Sequence, residues 1–179
     1  MLEDLNIEIL SMNDYTDLPD VEEDGKTFFE NAFKKAKIIS EHTEEVVLAD
    51  DSGLEVEYLG GEPGVYSSRY SGSDATDSSN MRKLLESLKD VSVEKRSAAF
   101  RCVLVLYSPD GRYMSFEGSL QGIIHDEPVG DGGFGYDPVF FLPEQKLTVA
   151  QLPPEEKNRI SHRAQAVDKF KEACKREIF

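Results

Sequence analysis

Two adjacent carboxylates, Asp50 and Asp51, are the residues of this sequence best suited to acid–base or metal chemistry. They follow the apolar run 46–49, which predicts a short buried strand, and they precede Ser52-Gly53. Because successive side chains on a strand point to opposite faces, only one of the two carboxylates can easily face a given cleft. A metal–phosphate site and a pair of solvated or capping aspartates both fit this local pattern.

The segment after these carboxylates combines a strand with a shaped loop. Alternating apolar residues over 54–58 predict a second half-buried strand. Glycine and proline residues at 60–64 break the chain twice and predict a structured loop. Three larger side chains follow, which either form a substrate wall or pack the loop down: Tyr66, Arg69 and Tyr70.

A glycine-rich segment at 129–138 offers exposed backbone N–H groups to a ligand. It holds four glycines in ten residues, together with the rings of Phe134 and Tyr136. It lacks the lysine of a Walker A loop and does not match a dinucleotide fingerprint, so neither site is predicted. Three interpretations remain, namely a phosphate cradle, a ring that stacks on a base, and a turn with buried aromatic residues.

Three hydrogen-bond donors are close together near the end of this acidic sequence: Lys157, His162 and Arg163. Ser161 is a predicted helix N-cap, which places His162 and Arg163 in the first turn of the helix. Cationic side chains are unfavourable there because a helix carries a partial positive charge at its N-terminus. This conflict indicates that the two side chains serve a ligand.

An acidic loop at 14–25 precedes the first predicted helix. Its Glu22 and Glu23 either belong to a solvated charge run or lend a carboxylate to a metal. Thr27 and Glu30 form a capping-box pattern, which predicts that a helix begins there. The lysines of this helix are expected to be solvated: Lys34, Lys35 and Lys37.

The remaining apolar patterns predict an α/β fold that contains an antiparallel hairpin, so that the sheet is mixed and not purely parallel. The first residues, 1–5, resemble the end of a helix. Helices are predicted around 81–88 and after Ser161. Strands are predicted at 7–10, 98–107, 112–124 and 139–142, with a turn at 108–111.

Length and composition limit the class of protein. The 179 residues suit one packed domain, 1–179, and 39% hydrophobic with 31% charged residues indicate a soluble globular chain. The formal charge of −15 argues against a nucleic-acid binder, but a nucleotide remains compatible because a divalent metal can supply positive charge. We expect no membrane-spanning segment and no signal peptide, and two distant cysteines fit a reducing cytoplasm.

Four sequence blocks occur in one order: ADDSGLEV, LGGEPGVYSSRYSG, GGFGYDPVF and EEKNRISHRAQA. With these blocks the chain resembles the non-canonical purine nucleoside triphosphate pyrophosphatases, the inosine/xanthosine triphosphatase or Ham1-like family, over essentially its whole length. The resemblance implies a mixed α/β fold in which a long, twisted central sheet and flanking helices form two lobes around a cleft. It also implies a homodimer and magnesium-dependent cleavage of ITP, dITP or XTP to the monophosphate and pyrophosphate.

The resemblance also implies roles for the acidic residues and for Ser52. Asp51 corresponds to the general base or metal carboxylate of the family, Asp50 supports it, and Ser52 contacts substrate. One glutamate of the pair Glu22 and Glu23 corresponds to a second carboxylate associated with Mg²⁺.

Substrate recognition is implied for two further blocks. The nucleoside-binding block corresponds to Phe134, Gly135, Tyr136 and Asp137. The base-recognising residues correspond to Lys157, His162 and Arg163. Arginine and lysine only donate hydrogen bonds, so this cluster favours a purine with a 6-oxo acceptor over adenine, which has an amino donor there. Phe134 is expected to stack on the base.

The opening of the sequence departs from the family pattern. The family begins with a strand and a Ser/Thr-x-Asn-x-x-Lys loop that binds the triphosphate, and nothing of this kind precedes Ile7 or surrounds Asn13. We therefore expect an N-terminally incomplete domain. A catalytically impaired nucleotide-binding remnant is the alternative function, and a metal phosphohydrolase for another substrate is a third.

Overall fold

The central element is a five-stranded sheet in the computed structural model, which describes residues 7–176. The strands follow one another in chain order, and every pairing among them is antiparallel. The strands are β1 (Val47–Val56), β2 (Ser97–Tyr107), β3 (Tyr113–Ile124), β4 (Phe140–Leu142) and β5 (Leu147–Thr148). The α/β fold with a long central sheet is confirmed, but the expected mixture of strand directions is not found among the described strands.

The two short strands predicted around the adjacent aspartates are in fact one strand, β1, which pairs with β2 along its whole length. Gly53, which separates the two predicted strands, lies inside this strand. A Cβ atom on Gly53 would lie 2.6 Å from both the carbonyl oxygen of Gly64 and the Oγ of Ser67. Glycine is present because a neighbouring segment approaches the strand closely, and not because the strand ends.

Residues 7–10 form no strand, contrary to the prediction, and their side chains are exposed. A strand requires a hydrogen-bonded neighbour, and no strand of the described sheet pairs with this segment. A single 3₁₀ turn, Met12–Asp14, follows it. The helix end expected over 1–5 lies outside the described residues.

Helices cover both faces of the sheet. They are α1 (Phe28–Thr43), α2 (Asp77–Ser87), α3 (Pro154–Ile160) and α4 (His162–Lys175). Alternate residues of β2 divide between two of them, because Val103 and Val105 pack with α1 whereas Cys102 and Leu104 pack with α4. A third apolar cluster joins α2 to the far end of the sheet through Leu84. None of the helices in the described range is long and apolar enough to span a membrane.

Both predicted helix N-caps are confirmed. The Thr27 hydroxyl accepts a hydrogen bond from the backbone N–H of Glu30 at 3.1 Å, and the Ser161 hydroxyl accepts one from Ala164 at 3.1 Å. The capping box itself is altered, since the Glu30 carboxylate bonds to the N–H of Lys26 and not to that of Thr27. The two caps fix where α1 and α4 begin.

The contact between α4 and β3 depends on a glycine. A Cβ atom on Gly118 would overlap the carbonyl oxygen of His162 and would lie 2.8 Å from the backbone nitrogen of Ala166. The first turn of α4 therefore rests directly on the backbone of β3. This contact determines where His162 and Arg163 project.

Candidate active site

A cavity of about 490 Å³ opens beside the middle of β1. Residues 52–54 of β1 and Phe100 of β2 line one side, and loop 132–137, α3 and the first turn of α4 line the others. The structure brings all the predicted substrate-binding residues to this cavity: Ser52, Phe134, Gly135, Tyr136, Asp137, Lys157, His162 and Arg163. Four segments distant in sequence thus converge on one site.

Asp50 faces the cavity side of β1 and is paired with Arg163. The Nη2 of Arg163 donates to the Oδ2 of Asp50 at 2.6 Å, and the Ser52 hydroxyl donates to the same oxygen at 3.1 Å. Burial acts to raise the pKa of Asp50, but the charge and hydrogen bond of Arg163 outweigh it and hold that pKa below its usual range. Asp50 is therefore an anion that orients Arg163 and Ser52.

Asp51 lies on the opposite face of β1, next to α1. Its Oδ2 accepts a hydrogen bond from the Nδ2 of Asn31 at 3.1 Å, and its Oδ1 accepts one from the Nζ of Lys35 at 3.2 Å. Burial raises the pKa of Asp51 above its ordinary value although Lys35 and Asn31 act to lower it. A carboxylate with a raised pKa is suited to accept a proton.

Lys35 joins Asp51 to Glu23. Its Nζ donates to the Oε1 of Glu23 at 2.6 Å as well as to Asp51, and its side chain is only 23% exposed. The prediction that Lys35 is solvated is therefore wrong. The helical pattern could not reveal this, because both partners of Lys35 lie outside its helix.

The same group of residues bears on the predicted metal site. Glu23 shares the Lys35 ammonium with Asp51, whereas Glu22 is exposed. In the described part of the chain, no group of three or more His, Cys, Asp or Glu side chains is arranged to hold a metal ion. Carboxylates suit Mg²⁺, which commonly takes one or two of them and completes its shell with water and substrate phosphates. Glu23 and Asp51 are two such carboxylates, and the Lys35 ammonium lies between them.

The glycine-rich loop uses its backbone donors within the protein. Gly133 and Gly135 have φ values of +74° and +60°, which a side chain would disfavour. The N–H of Phe134 donates to the Oδ2 of Asp137 at 2.9 Å, and the N–H of Gly135 donates to the Oδ2 of Asp77 at 2.7 Å. Because carboxylates already hold these two N–H groups, the loop is better suited to present a ring than to bind phosphate.

The two aromatic residues of this loop differ in burial. The Phe134 ring is 63% exposed at the cavity, whereas Tyr136 is buried and donates its hydroxyl to the carbonyl oxygen of Ser67 at 2.9 Å. Burial raises the pKa of Tyr136, which keeps the hydroxyl protonated as a donor. Tyr136 fixes the loop, and Phe134 is the ring available for stacking.

Lys157 connects Phe134 to Asp137. It forms an ion pair with the buried Asp137 carboxylate, and its Nζ lies 4.5 Å from the centroid of the Phe134 ring. This distance is within the range of a cation–π contact. The lysine thus places a positive charge at the mouth of the cavity and restricts the Phe134 ring.

His162 is neutral in this environment. Its ring stacks on Phe100 with centroids 5.1 Å apart, and its Nδ1 is buried without a hydrogen-bond partner among the described residues. Burial lowers the pKa of His162 to about 4, and the charges of Arg163 and Lys157 add to this effect. A neutral imidazole has one donor and one acceptor nitrogen, so His162 is not a third cation of the cluster.

Several polar residues of the site escaped sequence interpretation. Asn31 is fully buried in α1 and its Oδ1 also accepts a hydrogen bond from the N–H of Gly25 at 2.8 Å. Ser67 accepts a hydrogen bond from the N–H of Leu54, and Asp77 holds Gly135. No local pattern marks these residues, because their partners lie in other segments of the chain.

Known proteins with similar sequences identify the family of this chain. The sequence matches the Ham1 family over residues 1–173. It is 52% identical to the dITP/XTP pyrophosphatase of Geobacter sulfurreducens over 172 residues, which is 96% of this chain and 86% of the relative. It is 48% identical to the dITP/XTP pyrophosphatase of Escherichia coli K12 over 169 residues, with 93% and 85% covered.

Solved structures agree with the fold. A HAM1 protein from Coxiella burnetii superposes with a TM-score of 0.92 at 42% identity, covering 98% of this chain and 89% of that chain. The Ham1 protein of Staphylococcus aureus gives a TM-score of 0.85 at 44% identity, covering 88% and 81%. On sequence and on structure, the chain belongs to the Ham1 family.

Proposed function

We propose that this protein hydrolyses the non-canonical purine nucleoside triphosphates ITP, dITP and XTP to the monophosphate and pyrophosphate. Family membership and relatives named dITP/XTP pyrophosphatases support a hydrolase of this class. The observation that carries the proposal is that the predicted base-binding residues line one cavity beside β1, the strand that holds Asp50 and Asp51.

Base recognition follows from the chemistry of the cavity. The exposed Phe134 ring can stack on a purine, and such stacking contributes about 1–3 kcal/mol for a nucleobase on an aromatic side chain. Lys157 and Arg163 donate hydrogen bonds and accept none, so they suit the 6-oxo group of hypoxanthine or xanthine. Adenine would present its 6-amino donor to these donors, so neither could form a hydrogen bond to that group.

Phosphate chemistry is assigned to the other face of β1. This strand lies at the edge of the described sheet, so a nucleotide whose base lies in the cavity can extend its phosphates past Ser52 toward Asp51 and Lys35. The Asp51 carboxylate orients a water molecule and accepts its proton as the water oxygen bonds to phosphorus. The anhydride bond between the α- and β-phosphates breaks, pyrophosphate leaves, and Asp51 returns the proton to solvent. Lys35 stabilises the negative charge.

A magnesium ion fits the same place. Glu23 and Asp51 would hold it, with Glu22 as the neighbouring carboxylate of the predicted pair, and the ion would supply positive charge to the phosphates. Without the ion, the positive charge between these two carboxylates is the ammonium group of Lys35.

The experiment that tests the proposal is pyrophosphate release from ITP, XTP, ATP and GTP, with and without Mg²⁺, by the wild-type chain and by Asp51→Asn. Magnesium-dependent release from ITP and XTP alone, lost in the variant, is expected. Nucleotide binding without turnover would instead support the impaired remnant. Turnover without base selectivity would support a general phosphohydrolase.

Three further statements stay predictions. We expect a single domain, a homodimer and a cytoplasmic location. Two free cysteines, Cys102 and Cys174, are compatible with a reducing compartment. Light scattering of the purified chain would measure the oligomeric state directly.

A further inference from the structure

Arg69 is not among the residues that line the cavity, yet it contacts one of the proposed metal carboxylates. It ends the 3₁₀ segment Gly64–Arg69 that follows β1. Its Nη2 donates to the backbone carbonyl oxygen of Glu23 at 2.8 Å, and its Nη1 lies 3.8 Å from the Glu23 carboxylate. One guanidinium thus contacts both the backbone and the side chain of a residue 46 positions earlier.

Glu23 needs such a contact because it belongs to a segment, 15–25, without helix or strand. Two other contacts restrain this segment after Glu23. The N–H of Gly25 donates to the buried Asn31 side chain at 2.8 Å, and Asp24 pairs with Lys34 at 2.6 Å on the surface. Arg69 is the contact that acts on the backbone of Glu23 itself.

The 3₁₀ segment that carries Arg69 is hydrogen-bonded to β1. The Ser67 hydroxyl accepts a hydrogen bond from the N–H of Leu54 at 2.8 Å and donates one to the carbonyl oxygen of Gly64 at 2.6 Å. The Arg69 guanidinium also lies 5.1 Å from the centroid of the Tyr66 ring. The strand that carries Asp51 therefore also holds the segment that carries Arg69.

These contacts form a ring of interactions that begins and ends at β1. β1 supports the 3₁₀ segment, Arg69 holds Glu23, Glu23 accepts a hydrogen bond from Lys35, and Lys35 donates to Asp51 of β1. Among these residues, Glu23 is the one that lies in a segment without helix or strand. Removing Arg69 breaks the contact that holds it.

We propose that Arg69 is a positioning residue that holds the Glu23 carboxylate against Lys35 and Asp51. The proposal rests on the proposed function for its effect on catalysis, but not for its structural content. Loss of a residue that orients a neighbouring ligand commonly lowers activity by 10- to 100-fold. Lysine at position 69 can restore one hydrogen bond, but it lacks the planar fork that contacts the backbone and carboxylate together.

The test compares Arg69→Gln and Arg69→Lys with a matched control, Lys34→Gln. The control removes a different ion pair from the same loop and leaves Glu23 untouched. Hydrogen exchange of the peptide covering 15–26 is measured by mass spectrometry, together with kcat and KM for ITP. For Arg69→Gln we expect faster exchange in this peptide and kcat lowered about 10- to 100-fold with KM changed less than about threefold. Arg69→Lys should be intermediate and Lys34→Gln near wild type.

Two results would overturn the proposal. One is wild-type exchange of the 15–26 peptide in Arg69→Gln. The other is an equal loss in Lys34→Gln, which would show that any weakening of the loop has the same effect. Exchange of β2 amides monitors the fold, and Arg69→Lys provides a second variant if Arg69→Gln unfolds. An inactive wild type would contradict the proposed function, while the exchange data would still test Arg69.

Discussion

Asp50 and Asp51 are neighbours in the chain, but their carboxylates lie on opposite faces of β1 and their pKa values are shifted in opposite directions. Arg163 keeps Asp50 ionised, whereas burial makes Asp51 a stronger base than an ordinary aspartate. Two carboxylates with divergent pKa values are how one site separates an electrostatic role from a proton-accepting role. This difference leads to opposite expectations for the two substitutions.

Asp50→Asn should lower stability at pH 7. The folded pKa of Asp50 is depressed, so its contribution is present above the unfolded pKa and is lost as the pH falls through the folded pKa. Both side chains of the pair are more than one-third exposed, so solvent screening limits the loss to about 0.5–1 kcal/mol in the free energy of unfolding. Thermal denaturation should show a midpoint lower by about 1–4 °C. An unchanged midpoint would show that the ion pair is fully screened.

Asp51→Asn should not lower the thermal midpoint at pH 7. The folded pKa of Asp51 is raised, so ionisation of this carboxylate costs stability as the pH rises from the unfolded pKa to the folded one. A neutral amide of the same shape avoids that cost while hydrolysis is lost. The same thermal denaturation series measures this midpoint. A midpoint that falls further than in Asp50→Asn would contradict a raised pKa for Asp51.

The pH dependence of kcat/KM should report Asp51. A proton acceptor is active when ionised. If Mg²⁺ enters together with the nucleotide, kcat/KM reports the metal-free enzyme and should fall as the pH drops through a pKa above the ordinary aspartate value of about 3.9. The positive charge of Lys35 lowers this pKa, so Lys35→Met should move the acid limb to higher pH as well as reduce the rate. A limb that stays in place in Lys35→Met would show that another group titrates.

The KM for ITP should not depend on His162 titration between pH 6 and 8. With a pKa of about 4, His162 stays neutral across this interval. An ordinary histidine would gain charge near pH 6.5 and would change its hydrogen bonding to the base. The comparison is KM at five or six pH values for the wild type and for His162→Gln. A step in the wild-type KM near pH 6.5 that is absent in the variant would contradict a neutral His162.

Local patterns were sufficient for much of the fold. The period of two in a strand correctly placed Asp50 and Asp51 on opposite faces, and the capping residues located the starts of α1 and α4. The sequence SPDG at 108–111 correctly predicted the turn of the β2–β3 hairpin, in which the N–H of Gly111 donates to the carbonyl oxygen of Ser108. These features depend on contacts within a few residues.

Features that depend on distant partners were missed or misplaced. The single strand β1 was predicted as two strands on either side of Gly53, because the close approach of Ser67 is not visible locally. Lys35 was assigned to solvent because its partners, Glu23 and Asp51, come from a loop and a strand. The segment 7–10 alternates like a strand but lacks a described partner. The periodicity of side chains indicates which face of a helix or strand is apolar, but not which other segment packs on that face.

Gly118→Ala should impair the site from a distance. The new Cβ would overlap the carbonyl oxygen of His162, so the first turn of α4 must move away from β3. Overpacking of this kind typically costs about 1–3 kcal/mol in stability. Displacement of His162 and Arg163 should also raise KM. Ser115→Ala, at an exposed position of the same strand, is the control, and equal behaviour of the two variants would show that α4 tolerates the shift.

Phe134→Ala should raise KM for ITP and XTP while kcat changes little. The ring is exposed at the cavity and is restricted by Lys157, so its main contribution is to bind the base before and during reaction. Loss of about 1–3 kcal/mol of stacking corresponds to an increase in KM of roughly 5- to 150-fold. Phe134→Tyr keeps the aromatic face and should retain KM within about threefold of wild type. A fall in kcat with KM unchanged would instead show that the ring organises the Asp137–Lys157 pair, and not the base.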